Sequence, residues 1–267
     1  MQQMRKFLIL APFLLILAFS NLHGPEDRCS IQNTSFMGGE YAAYNIYYTL
    51  AGVYFEAGTV NFTCRSEQFG NKPVYHITAV GKTIPFYDHL YKVRDKYETY
   101  IDTGSLLAYQ FNRTVLEGNV KKFENIKFNR EIQTAITDSG VYKVPACVLD
   151  VLGAVYYVRN LSTENLHPGD KADFQLFLDN QLYKSYVRFM GKEIINTKYG
   201  KFHAIKIKPL LIKGSMFETG EKMTVWVSDD PNHIPLRIQA QIKIGSVKAD
   251  LMEFNNLRWP LSSLISK

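Results

Sequence analysis

Residues 40–65 read EYAAYNIYYTLAGVYFEAGTVNFTCR. Glu40 to Leu50 is rich in tyrosine and isoleucine. From Val53 to Arg65 the chain alternates, with Val53, Phe55, Ala57, Thr59, Asn61 and Thr63 on one side. Successive side chains of a strand point to opposite faces, so this period of two marks a strand with two unlike faces. Ala51-Gly52, between the runs, supplies a hairpin turn.

The pattern continues downstream. Val74 to Lys82 reads as a strand entered through Gly70-Asn71-Lys72-Pro73. Ile84 to Tyr91 is short and irregular or helical, and is expected to lay Phe86, Tyr87, Leu90 and Tyr91 over one end of the sheet. Further strands are expected at Val93–Ile101, Leu106–Leu116, Lys121–Asn129 and Glu131–Thr137, separated by Asp102-Thr103-Gly104, Glu117-Gly118-Asn119 and Asp138-Ser139-Gly140, all turn-forming residues. From Cys147 to Leu161, Leu149, Leu152, Val155, Tyr156 and Arg159 recur at helical spacing, with Pro145 just before the entry. This lone main helix is expected to cover the concave face of the sheet. The second half returns to strands at Asp173–Leu178, Leu182–Met190, Phe202–Ile212, Met223–Ser228, Leu236–Gln241 and Ile244–Glu253. Gly191-Lys192-Glu193 and Asp229-Asp230-Pro231-Asn232 are expected as connections. The expected fold is mainly β: a strongly curved antiparallel sheet, or unclosed β barrel, of about a dozen strands. With no linker of Pro or Gly, residues 40–257 read as a single antiparallel β domain and 258–267 as a C-terminal tail.

Upstream, Arg5 and Lys6 precede an apolar run from Phe7 to Phe19. As a helix this run spans roughly 20 Å, short of the ~20 residues a bilayer core requires. It reads as a signal peptide over residues 1–20, cleaved near Ser20 or Gly24, followed by a polar leader over 21–39. No later segment has the length and apolarity of a membrane span, so the mature chain is expected to lack one. Cys29 follows Glu26-Asp27-Arg28, unsuited to lipidation. The expected location is outside the cytoplasm, periplasmic or associated with the outer membrane.

The formal charge of +6 falls to about +4 once Arg5 and Lys6 are removed. The remaining cations alternate with acids. Lys121-Lys122-Phe123 with Lys127-Phe128 mixes cations and aromatics as single-strand grooves do, but the same pattern describes the solvated face of a strand, and no nucleic-acid partner is expected. Three cysteines, Cys29, Cys64 and Cys147, allow one disulfide and one spare thiol, with the pairing open.

Catalytic signatures are weak. Asp102-Thr103-Gly104 and Asp138-Ser139-Gly140 match the aspartic-protease tripeptides, but they lie too close in sequence for two lobes and occur where strands must turn. No histidine pair has helical ligand spacing, no Gly-x-Ser-x-Gly elbow occurs, and no phosphate loop is present, so neither metal nor cofactor is expected. Cys147 reads as a structural cysteine. Arg94, beside Tyr97 on one strand, and Arg159, beside Tyr156 on the helix, read as structural ion pairs. Alternatively, they hold an anionic head group at the mouth of a cavity, since an isolated buried charge is costly.

Several segments resemble an uncharacterised family of exported, β-rich Gram-negative envelope proteins, a domain of unknown function: Tyr91-Lys92-Val93-Arg94-Asp95-Lys96-Tyr97-Glu98, Asp150 to Arg159, Gly200-Lys201-Phe202 with Lys206 and Pro209, Val225-Trp226-Val227-Ser228-Asp229-Asp230 with Ile234 to Ile238, and Gly245 to Leu251. The residues around Trp226, Asp229 and Pro235, with Phe254-Asn255-Asn256, are also similar to periplasmic lipoprotein carriers, which are unclosed barrels holding acyl chains; this chain has fewer helices. The aromatic excess, the single covering helix and the exported compartment point to a non-enzymatic envelope protein that binds a lipid or other apolar molecule. Arg94, Arg159, Tyr156, Tyr97 and Trp226 are the candidate ligand residues. A structural or interaction module docking onto an envelope protein partner is the alternative, and a hydrolase using Asp102 and Asp138 a third reading.

Overall fold

A computed structural model describes residues 29, 31–50, 53–211, 220–242 and 245–267. The reading of residues 1–20 and the turn at Ala51-Gly52 lie outside the described residues.

The first half is a meander. β1 (Tyr41–Leu50), β2 (Val53–Phe69), β3 (Lys72–Thr83), β4 (Arg94–Asp102), β5 (Ala108–Glu117), β6 (Val120–Asn129), β7 (Thr134–Thr137) and β8 (Gly140–Lys143) pair in sequence order, with the single turn α1 (Pro85–Asp88) between β3 and β4. The second half comprises β9 (Val148–Leu149), α2 (Val151–Arg159), β10 (Lys171–Leu178), β11 (Gln181–Asn196), β12 (Lys201–Pro209), β13 (Met223–Ser228), β14 (Pro235–Gln241), β15 (Ser246–Asn255) and β16 (Leu264–Ser266). β15 pairs with β1, so the described strands form one sixteen-stranded sheet whose path ends at β8 and β9, with β16 added beside β12. Neighbours are antiparallel except β9 with β10. The barrel is therefore unclosed between β8 and β9. Arg130 bridges this seam, its guanidinium donating to the carbonyls of Ala108, Ala146 and Val148.

Several local expectations are corrected. The helix begins at Val151, not Cys147: Asp150 caps it by accepting from Leu152 N and Gly153 N at 2.9 and 2.8 Å, while Val148 and Leu149 pair with β10. Gly191 does not turn the chain. β11 runs through it, and a positive φ of 107° lets glycine accommodate a bulge between Phe189 and Gly191. The turn falls instead at 197–200, where Thr197 and Gly200 exchange hydrogen bonds. Phe86 and Leu90 point into solvent, at 74% and 78% exposure, rather than covering the sheet. Residues 258–267 carry β16, paired with Lys201 and Phe202.

One end of the barrel is filled. Phe36, upstream of β1, is fully buried and meets Tyr156 of α2 edge-on at 4.8 Å, within a cluster that includes Cys64, Ile77, Ile101, Phe111 and Leu152. Cys29 and Cys147 form a disulfide, and Cys64 is a buried free thiol. Among the described residues, no helix is long and apolar enough to cross a membrane.

Candidate functional site

Cross-strand partners share a face of a sheet, so the registers show which side chains line the concave side. One row runs Phe189, Ile207, Val225, Ile238, Ala249, Ile46, Gly58 and Thr83, crossing eight strands from β11 to β3. A second row, nearer the ends of the strands, runs Met223, Ala240, Val247, Tyr48 and Phe55. The face is that of buried Tyr44 and Leu251, yet Ile46, Val60, Ile207, Val225 and Ile238 are only half-buried. Gly58 is required in the first row, because a Cβ there would lie 2.4 Å from the Lys82 carbonyl oxygen.

The antiparallel order puts the connections β1–β2, β3–β4, β5–β6, β10–β11, β12–β13 and β14–β15 at one end. The α2 cap, the chain before β1 and the β13–β14 turn lie at the other. Thus the concave face is largely filled at the α2 end and carries half-exposed apolar side chains toward the opposite rim, the mouth.

One wall of the mouth is polar. Arg113 Nε lies 2.7 Å from Glu124 Oε2, and Asp179, at the tip of the β10–β11 hairpin, accepts from both Arg113 and Lys122 while its N–H donates to Glu124 at 2.8 Å. This locks the hairpin tip onto β5 and β6. Nearby, burial raises the pKa of the Asp95 carboxyl. A hydrogen bond from Leu116 N, another shared with Glu117, and the charge of Arg113 act in the opposite direction.

The five residues singled out from the sequence do not form one site. Arg159 and Tyr156 are together, the guanidinium 5.1 Å from the ring centroid, but in the filled end. Arg159 is saturated by Glu40, at 2.6 Å, with Asn232 O and Ser35 O taking further donors. Arg94 is paired with Asp88 beside α1. Tyr97 alone faces the polar wall, opposite Arg113. Trp226, next in β13 to Val225 and so on the other face of the strand, is half-buried, its indole N–H donating to Glu193 and Lys206 lying 5.5 Å from its ring. Asp102 is a turn residue: Oδ1 accepts from Gly104 N, Ser105 N and Ser105 Oγ, and Oδ2 from Tyr109. Asp138 lies in the β7–β8 turn. Sequence reading missed the apolar rows, whose only signal was the excess of bulky side chains on alternating positions.

Other concavities lie elsewhere among the described residues. An apolar crevice of about 40 Å³ beneath the end of α2 is lined by Leu161, Leu166, Phe189, Ile205 and Val227, enough for about one water molecule. A wider cleft of about 660 Å³ lies beside the disulfide, between Leu107, Leu149, Tyr157 and Phe174 on one hand and Asp173, Gln175 and Lys184 on the other. There Gln175 Oε1 is buried without a hydrogen-bond partner among the described residues.

Comparison with known proteins places this architecture. The fold matches the β-barrel-like protein of domain of unknown function DUF1849 from Brucella abortus, at 8% identity over 83% of this chain and 98% of that one, with a TM-score of 0.53. Weaker similarities are found to a lipoprotein candidate from Parabacteroides distasonis (16% identity, 84% and 100% coverage, TM-score 0.37) and to a candidate exported protein with a YmcC-like fold from Bacteroides fragilis (12%, 85% and 100%, TM-score 0.33). No curated protein matches the chain. A family model described as protein of unknown function, DUF3108, matches residues 43–252, and the chain belongs to that family.

Proposed function

We propose that this is an exported, non-enzymatic envelope protein that binds a lipid-like or other hydrophobic ligand in the open mouth of its barrel. The carrying observation is the pair of cross-strand apolar rows, in which Ile46, Ile207, Val225 and Ile238 are left half-exposed on the face that elsewhere forms the core. Leaving such a surface to water forgoes about 25 cal/mol for each Å² that a ligand would cover. Concave sites that take apolar ligands combine a wall of this kind with a few fixed polar groups. Here those are Tyr97, Arg113 and the Asp95–Glu117 pair, so the ligand carries a polar head toward β4–β6 and its apolar body toward β13–β15. The Cys29–Cys147 disulfide supports an oxidising compartment, periplasmic or at the outer membrane.

The test is uptake of a fluorescent fatty acid by the purified protein, with mass spectrometry of any lipid retained from the envelope. Ile238→Glu places a charge in the middle of the first row and is expected to abolish uptake while the fold persists, since the side chain is half-exposed. Equal uptake by this variant and the wild type would refute the reading.

One observation favours the interaction-module alternative. β9 pairs with β10 only at Gln175 and Leu176, so the β10 edge from Lys171 to Phe174 opens on the 660 Å³ cleft and can accept an added strand. Cross-linking from position 173 in native envelopes would reveal such a partner.

A further inference from the structure

We propose that the rim of the mouth is a docking surface for an anionic lipid bilayer. The inference goes beyond ligand binding and, apart from Phe55, stands on different residues. Val53, Tyr54 and Phe55 at the β1–β2 hairpin, Phe86, Leu90 and Tyr91 around α1, and Val120 and Phe123 after the β5–β6 turn are all exposed. They form one strip. Ile84 N donates to Ala57 O at 3.0 Å, joining the α1 segment to β2. Gly118 N donates to Lys92 O at 2.8 Å, joining it to the β5–β6 turn.

Shape and charge identify the partner. The apolar groups sit at the ends of strands and around α1, spread along the rim, so a fluid interface receives them more readily than a partner with matching pockets. The rim acids are largely neutralised from within: Asp88 is held by Arg94, and Asp179 by Arg113 and Lys122. Glu56 is the exposed acid that remains on β2. Lys82, Lys92 and Lys121 are exposed with no ion pair among the described residues, while Glu117 is buried and Asp95 half-buried beneath them. Lys248 lies 4.7 Å from the Tyr54 ring, so part of the aromatic surface is already cationic in character. Apolar side chains inserted to shallow depth beside lysines that meet anionic head groups are the components of interfacial membrane binding. The geometry would also point the mouth at the bilayer, where an apolar ligand could cross without passing through water.

Flotation with vesicles of phosphatidylethanolamine and phosphatidylglycerol tests this. The wild type is expected to float with vesicles containing phosphatidylglycerol and to be released by salt. Phe86→Ser with Leu90→Ser should lower partitioning tenfold or more, and Lys92→Glu with Lys121→Glu should remove the preference for the anionic lipid. Both pairs are on the surface, and circular dichroism checks that each variant is folded. Wild-type protein that remains with the soluble fraction, or a Phe86→Ser/Leu90→Ser variant that floats as well as wild type, would overturn the proposal. The same variant taking up the fatty acid normally would show that ligand binding is separate from docking, and the Ile238→Glu variant is expected to float while taking up none.

Discussion

Arg159, at the last turn of α2, and Glu40, immediately before β1, face each other with two hydrogen bonds of 2.6 and 2.8 Å, both side chains 3% exposed or less. Burial alone would depress the guanidinium pKa, but the charge and hydrogen bonds of Glu40 outweigh it and hold Arg159 above its ordinary value. The pair ties the helix, the segment before β1 and the β13–β14 turn, which accepts from Arg159 through Asn232 O.

Removing one partner leaves the other charge buried and unpaired. Glu40→Gln is therefore expected to cost about 3–5 kcal/mol in denaturant unfolding. Replacing both at once, Glu40→Leu with Arg159→Met, should cost less than either single change. A double variant as unstable as the singles added together would show that the two side chains act independently.

Asp150 gives stability a pH dependence. Burial raises the pKa of its carboxyl, against the opposing hydrogen bonds from Gly153 N, Thr99 Oγ1 and Leu152 N and the charge of Arg130. An acid raised on folding contributes stability that is fully present below its unfolded value and is lost as pH rises through the folded one. The wild type should thus lose stability as pH climbs from about 4. Asp150→Asn keeps a capping oxygen and, like Asp150→Ala, should flatten that slope, while Asp150→Ala should lie a further ~1–2 kcal/mol below Asp150→Asn at every pH by losing the cap. Melting curves across the acid range distinguish the two.

The thiol of Cys64 should be silent until the protein opens. Burial drives its pKa far above that of a free cysteine, with the Glu40 charge adding to the effect. Since the thiolate is the reactive form, alkylation of folded protein should be absent, with one equivalent taken up in denaturant. Reducing the Cys29–Cys147 bond frees a loop with a sequence separation of 118 and is expected to lower stability by up to ~5 kcal/mol on the loop-entropy account.

Gly58→Ala should destabilise far more than an ordinary surface change. Its Cβ would meet the Lys82 carbonyl at 2.4 Å, forcing β2 and β3 apart. An unfolding midpoint matching wild type would show that the strands have room to separate there.

Much of this was legible in advance, for local reasons. Met223–Ser228 was read to the residue because its alternation ends at a turn rich in Asp and Pro. The helix was over-read because Leu149 falls at helical spacing from Leu152, although a two-residue pairing with β10 claims it. Gly191 was read as a turn because a glycine with positive φ serves a bulge equally well. Phe36 sits in a polar stretch, and nothing local says that it anchors the core. Arg159 was recognised as a charge requiring an explanation, but its partner lies 119 residues away. The apolar rows were invisible for a related reason. A period of two tells which residues share a face of one strand, while the mouth depends on which residues align across eight.

The order of the cysteines has a consequence for biogenesis. A chain that meets oxidant from its N-terminus onward presents Cys64 to Cys29 long before Cys147 arrives, so the first bond available is the wrong one. Pairing β2 with β3 sets Cys64 against Ile77 and withdraws it into the core. Correct maturation then becomes a race between hairpin formation and oxidation, with a thiol–disulfide isomerase as the remedy when the hairpin loses.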